Sequence, residues 1–202
     1  MRRVWVLALL ALALPVAALA DTIDLVNVHG SISISSAGVT STSSQLHSFN
    51  GITATPGHTL GSVSFSTGAL LTGSIQTGGT FSDAGSSFVV IGKGPQAPHK
   101  GTIFSGAFVS PVTWTLVSQN GQSLVYTLSG TIQGTLWNGH FITGTTTQTI
   151  VSTPGQIAQG IGHIRLGDTH LSGTPEPGTL GLLGTGLVAI GGMLRRKLVK
   201  SS

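Results

Sequence analysis

The stretch VTWTLVSQNGQSLVYTLSGTIQGTLWNGHFITGTTTQTIVS, residues 112–152, decides the fold. Val112, Trp114 and Leu116 alternate with Thr113 and Thr115, and Leu124, Tyr126 and Leu128 alternate with Val125 and Thr127. A period of two puts each apolar set on one face of a pleated strand, the mark of a half-buried β-strand. Between the two runs stands Asn120-Gly121, a pair favoured in type I′ hairpin turns because both central positions need positive φ. Ser129-Gly130 separates a further run, Thr131 to Trp137, and Asn138-Gly139 leads into Phe141 to Val151. The pattern predicts a four-strand meander. In its last strand Thr145, Thr146, Thr147 and Thr149 suggest a hydroxyl-bearing solvent face, with Ile142 and Ile150 on the alternate parity.

Upstream, Thr22 to Val28, Ser31 to Ser35, Gly61 to Ser66, Ala69 to Ile75 and Ser87 to Ile91 read as further short strands bounded by Gly, Pro or Ser. Strict alternation makes Ser31 to Ser35 half-buried. Gly92 to Gly101 reads as an exposed loop. No long stretch carries an apolar stripe at helical spacing, so helices should be few. Many short strands with frequent turn signals predict an all-β domain over residues 21–174, an antiparallel sandwich or open barrel with a C-terminal β-meander. No repeat of fixed period supports a solenoid. Cysteine is absent from the chain, so packing and sheet pairing must supply stability without disulfides.

Charge is scarce and lies at the ends. Of 202 residues 7% are charged, far below the roughly 25% usual in soluble domains. Arg2, Arg3, Arg195, Arg196, Lys197 and Lys200 account for six of the nine basic residues. Between Asp21 and Thr174 three cations (Lys93, Lys100, Arg165) face four aspartates (Asp21, Asp24, Asp83, Asp168). A nucleic-acid partner is therefore not expected, since a phosphate footprint needs clustered Lys and Arg.

Residues 1–20 have the three parts of a signal peptide: Arg2-Arg3, an apolar run from Val4 to Leu14, and small residues at Ala18 and Ala20. Cleavage after Ala20 would start the mature chain at Asp21. An uncleaved anchor would need an apolar core nearer twenty residues. This reading implies the secretion translocon and signal peptidase as partners.

Gly178 to Leu194 is uncharged over seventeen residues and is followed at once by Arg195-Arg196-Lys197. At about 1.5 Å per residue it spans roughly 25 Å, the short end of what crosses a bilayer. Six of its residues are glycine, which argues against a buried soluble helix, because each costs about 1 kcal/mol relative to alanine. We therefore expect a single C-terminal transmembrane helix over 178–194, with the basic end at 195–202 held on the cytoplasmic side as a membrane stop. Just before it stand Pro175, Glu176 and Pro177. The prolines bias Thr174 and Glu176 toward extended backbone, the form a peptide-cleaving site grips. Glu176 is the only glutamate in the chain.

A P-E-P signature, a short Gly/Leu-rich apolar segment and an Arg-rich end is similar to the PEP-CTERM sorting domain. The resemblance covers about residues 174 to 200. It implies an exosortase-type membrane processing enzyme as partner and an association with exopolysaccharide or biofilm production. The protein is then expected to be exported, held transiently in the inner membrane with its domain in the periplasm, and passed to the cell surface or beyond.

Candidate chemistry in the domain is sparse. Carboxylates flanking a glycosidic bond would have to come from two of four aspartates. Asp83, in Phe81 to Gly85, reads first as a turn residue. No G-x-S-x-G elbow, H-E-x-x-H or phosphate-cradling loop occurs. Seven histidines fall in the domain: His29, His47, His58, His99, His140, His163 and His170. A turn at Gly167-Asp168 would gather His163, Asp168 and His170, but the fixed spacing and second shell of a metal site are not visible, and we expect no metal and no cofactor. Trp114, Tyr126, Trp137, Phe141, Phe104 and Phe108 are expected in the core, because alternation aligns Trp114 and Tyr126 with leucines. Two functions remain. One is a non-catalytic exported surface or matrix protein; the other is a domain that binds or processes polysaccharide through an aromatic or aspartate-lined groove.

Overall fold

The computed structural model describes residues 22–173. These contain thirteen strands: β1 (Thr22–Val28), β2 (Ser31–Ser35), β3 (Gly38–Phe49), β4 (Ile52–Thr53), β5 (Gly61–Ser66), β6 (Leu70–Ser74), β7 (Gly78–Phe81), β8 (Ser87–Gly92), β9 (Gly101–Phe108), β10 (Val112–Asn120), β11 (Ser123–Leu136), β12 (Phe141–Ser152) and β13 (Ile161–Ser172). One short helix, α1 (Pro154–Ala158), precedes β13. The five upstream strands read from the sequence stand where alternation puts them, to within a residue at each end.

Several strands lie end to end and act as one stave. β1 and β2 run between β13 and β3 in unbroken register, from Thr22 opposite Ser172 to Ser33 opposite Ile161, and from Val28 opposite Gln45 to Ser35 opposite Gly38. β5 continues into β6, β7 into β8, and β9 into β10 along one direction too, with shifts of register along these pairs. With β3, β11, β12 and β13 this makes eight staves, each antiparallel to the next in chain order, and β13 returns to β1 and β2. The ring of pairings makes the domain an antiparallel barrel rather than a sandwich. Eight strands enclose a space that side chains fill.

The filling follows the two-residue period. Phe88 of β8 lies among Phe65 of β5 (centroids 6.1 Å), Phe104 and Phe108 of β9 (both 6.2 Å), all buried. Trp114 of β10 stacks on Tyr126 of β11 at 4.5 Å with an interplanar angle of 7°. Buried indole and phenol groups need polar partners. Trp114 Nε1 donates to the carbonyl of Ile75 and Tyr126 Oη to that of Gln76, each at 2.8 Å, which ties the turn between β6 and β7 to the stack.

The interior also holds a polar lattice. Asn27 Nδ2 donates to Ser44 Oγ (2.8 Å) and Gln148 Oε1 (2.9 Å), Gln148 Nε2 donates to Thr146 Oγ1 (2.9 Å), and Thr146 shares a hydroxyl bond with Thr169 (2.8 Å). All five side chains are buried, and they come from β1, β3, β12 and β13. A buried amide left unpaired costs about 1–3 kcal/mol, so each member requires the others. Gly167 makes the room: a Cβ there would collide with Gln148 Oε1 and Asn27 Oδ1.

Five expectations are corrected. Residues 112–152 form three strands, not four, because Ser129 and Gly130 stay in the β11 ladder opposite Thr147 and Thr146. Gly130 is there for space: a Cβ would strike the Phe108 ring. The hairpin at Asn120-Gly121 forms, but Asn120 pairs with Ser123, and only Gly121 of the two loop residues has positive φ (57°), so the turn is not type I′. That geometry belongs to Asn50-Gly51 (φ 47° and 82°), which joins β3 to β4. Thr146 points inward, sharing parity with Ile142 and Ile150, while Thr145 and Thr147 face solvent. The chain does not turn at Gly167-Asp168, since both residues pair within β13. Trp137 and Phe141, expected inside, are 41% and 58% exposed; they flank the turn between β11 and β12, at the rim of the barrel.

The expected loop at 92–101 is seen as residues 93–100 between β8 and β9. Among the described residues no helix is long and apolar enough to cross a membrane. The expected transmembrane helix at 178–194 lies outside them.

We predict that Gly167→Ala lowers stability by about 2 kcal/mol, the usual cost of overpacking, and that Gln148→Leu costs about as much by orphaning Asn27. Urea denaturation followed by tryptophan fluorescence measures both; unchanged midpoints would contradict a tightly packed lattice.

Candidate functional site

Antiparallel order sorts the connections to two ends of the barrel. Turns 36–37, 75–77 and 121–122 and the α1 connection lie at one end. At the other lie the segments 50–60, 93–100 and 137–140, together with Thr22 and Ser172, the paired first and last strand residues. This end concentrates the candidate features.

Beside the chain exit, on the outer face, Asp24 and Asp168 flank His170. His170 Nδ1 meets Asp24 Oδ1 at 2.5 Å, and Nε2 lies 3.3 Å from Asp168 Oδ2. Strand geometry explains the grouping: His170 faces Asp24 across the β1–β13 ladder, and Asp168 is two residues before it on the same face. The hydrogen bond to Asp24, then the charge of Asp168, raises the His170 pKa above its ordinary 6.5. His163 sits far along β13 instead, where Nδ1 comes within 3.5 Å of Ser31 Oγ. Among the described residues no three His, Asp or Glu side chains converge as a metal site would require. Asp83 occupies the 82–86 turn, where its carbonyl accepts from Ser86 N–H.

Trp137 holds the long loop. Its ring stacks on His99 (5.9 Å, 12°) and meets the edge of Phe49 (6.2 Å, 61°). Next to this loop a groove of about 740 Å³ runs over the outer face of β3. His29, His47, His58 and Lys93 line it with Gln45 and Thr59. Its wall is braced: Thr59 Oγ1 lies 2.9 Å from the Leu46 carbonyl oxygen and 2.6 Å from that of Gly61, and Lys93 N–H donates to the carbonyl of Leu60. His29 has φ 59°, the left-handed region that few non-glycine residues enter. Histidine count drew attention in the sequence, but His29, His47 and His58 are too far apart in the chain for spacing to reveal that they share a groove.

The other residues expected to matter, Ala18, Ala20 and Asp21 at the signal cleavage site, Pro175, Glu176 and Pro177, and Arg195, Arg196 and Lys197, lie outside the described residues. Comparison with known families reaches most of them: residues 174–197 match the PEP-CTERM protein-sorting motif. The chain carries this sorting motif. The match begins two residues after β13 ends and includes both the P-E-P signature and the basic cluster. The motif implies an exosortase-type membrane enzyme and sorting to the cell envelope or surface. No curated protein and no solved structure matches the chain.

Because the folded pKa of His170 is raised, the aspartate clasp stabilises the fold fully below about pH 6.5 and is lost as pH rises through the higher folded value. NMR titration should place the His170 pKa above the ordinary histidine value and show Asp24→Asn lowering it more than Asp168→Asn. The melting-temperature difference between native protein and His170→Gln should be present at pH 5.5 and absent at pH 9.

Proposed function

We propose that this is a non-catalytic surface or extracellular-matrix protein, exported by its N-terminal signal peptide and processed at Pro175-Glu176-Pro177 during envelope or exopolysaccharide assembly. The observation that carries the reading is the PEP-CTERM protein-sorting motif at 174–197. In this reading the apolar segment 178–194 spans the inner membrane and Arg195 to Lys197 stop it there. The two prolines keep the backbone around Glu176 extended within reach of the membrane enzyme.

The fold is compatible with loss of both ends. The ring of pairings begins at Thr22 and ends at Ser172, so cleavage after Ala20 and near Pro175 removes no strand from the barrel. Thr22 pairs with Ser172, so the described barrel begins and ends at neighbouring points of one rim. A processed barrel is then tethered or released from one end only.

Intact-mass analysis of protein from the envelope and the medium should show loss of residues 1–20 and of the apolar tail; a tail retained on all extracellular material would remove the processing claim. Glu176→Ala should leave export intact but hold the protein in the inner membrane, and unchanged fractionation would count against recognition of the P-E-P segment.

A further inference from the structure

We infer that the groove over β3 is a binding site for an acidic oligosaccharide, a sugar chain carrying carboxylates along its length. The inference stands on the groove alone and does not depend on how the tail is processed.

Every titratable side chain lining the groove is a base: His29 at the joint of β1 and β2, His47 on β3, His58 in the 55–59 segment and Lys93 after β8. Among the described residues that line it there is no carboxylate. In a domain where aspartates outnumber Lys and Arg, this local excess of basic groups makes the groove attractive to anions. The four groups come from four separate segments, and the three imidazoles do not converge as metal ligands do. They suit charges spaced along a ligand better than one compact ion.

The volume and the walls narrow the choice. About 740 Å³ is the size of an organic-ligand cleft and far exceeds what a single oxyanion fills. Val28 and Pro56 give an apolar floor for sugar ring carbons, while Gln45 and Thr55 offer polar groups to hydroxyls. A nucleic acid is disfavoured because the described domain has only Lys93, Lys100 and Arg165 to neutralise a phosphate backbone. A sugar chain of lower charge density matches one ammonium joined by three imidazoles. The site is also preformed, with Thr59 bonded on both sides and His29 held at positive φ.

Because histidine side chains gain charge on acidification, affinity for a carboxylate-bearing chain should rise as the pH falls. Isothermal titration of the full chain in detergent, at pH 5.5 and 7.5, tests this with trigalacturonate, neutral maltotriose and inorganic phosphate as probes. We expect trigalacturonate to bind more tightly at pH 5.5. Lys93→Ala and His58→Gln should each weaken binding about threefold, the scale of an exposed ion pair. His29→Asn should do the same while tolerating the left-handed backbone. Equal affinity of a Lys93→Ala/His58→Gln double variant and the native chain would overturn the assignment. So would maltotriose binding as tightly as trigalacturonate, or phosphate accounting for the whole affinity, which would mean an adventitious anion site only.

Discussion

The structure depends on one closure: β13 running against β1 and β2 without a break in register. An open sheet of eight staves would leave two rows of amide and carbonyl groups unpaired at its edges, an invitation to pair with another chain. Closing the ring satisfies them internally. The buried lattice sits on this seam, because Asn27 lies on β1, Thr169 on β13, and Thr146 and Gln148 on the next strand, β12. A slip of one residue along β13 would turn Thr169 and Gly167 to solvent and strand their partners in the interior. In a chain with no cysteine, hydrogen bonds and packing enforce that alignment.

Closure also sorts the connections between strands to two ends. In an up-and-down barrel of eight staves the first and last strands are neighbours and point opposite ways, so both chain ends leave from one end. The match to the sorting motif begins at residue 174, two residues past the end of β13. The 93–100 loop, the exposed Trp137 and the basic groove belong to that end as well, while the opposite end is capped by tight turns and by Ile157 of α1.

Much of the barrel was legible because its apolar residues obey a period of two. The runs at 22–28, 31–35, 61–66 and 87–91 were readable from alternation alone. β3 was not: its buried positions, Val39, Ser41, Ser44, Leu46 and Phe49, include two serines and leave the two-residue period where the register shifts between Ser41 and Ser44. β13 was obscured by Gly167-Asp168, a pair with the look of a turn, where the glycine in fact clears space for an amide lattice donated by other strands. Gly130 misled in the same way, its missing side chain answering to the ring of Phe108. A glycine kept for a distant neighbour and one kept for a turn look alike in one dimension.

By itself the sequence determined the all-β class, the location of charge, and the address at the C-terminus, because each depends on residues adjacent in the chain. Alternation, a run of seventeen uncharged residues and a P-E-P tripeptide are local patterns. Only the tertiary structure decided that the strands close on themselves, that Asn27 reaches Gln148 across 121 residues, and that three scattered histidines and a lysine share one groove. Those facts depend on strand register, and register is chosen by which side chains fit together in the interior rather than by any one segment's preference.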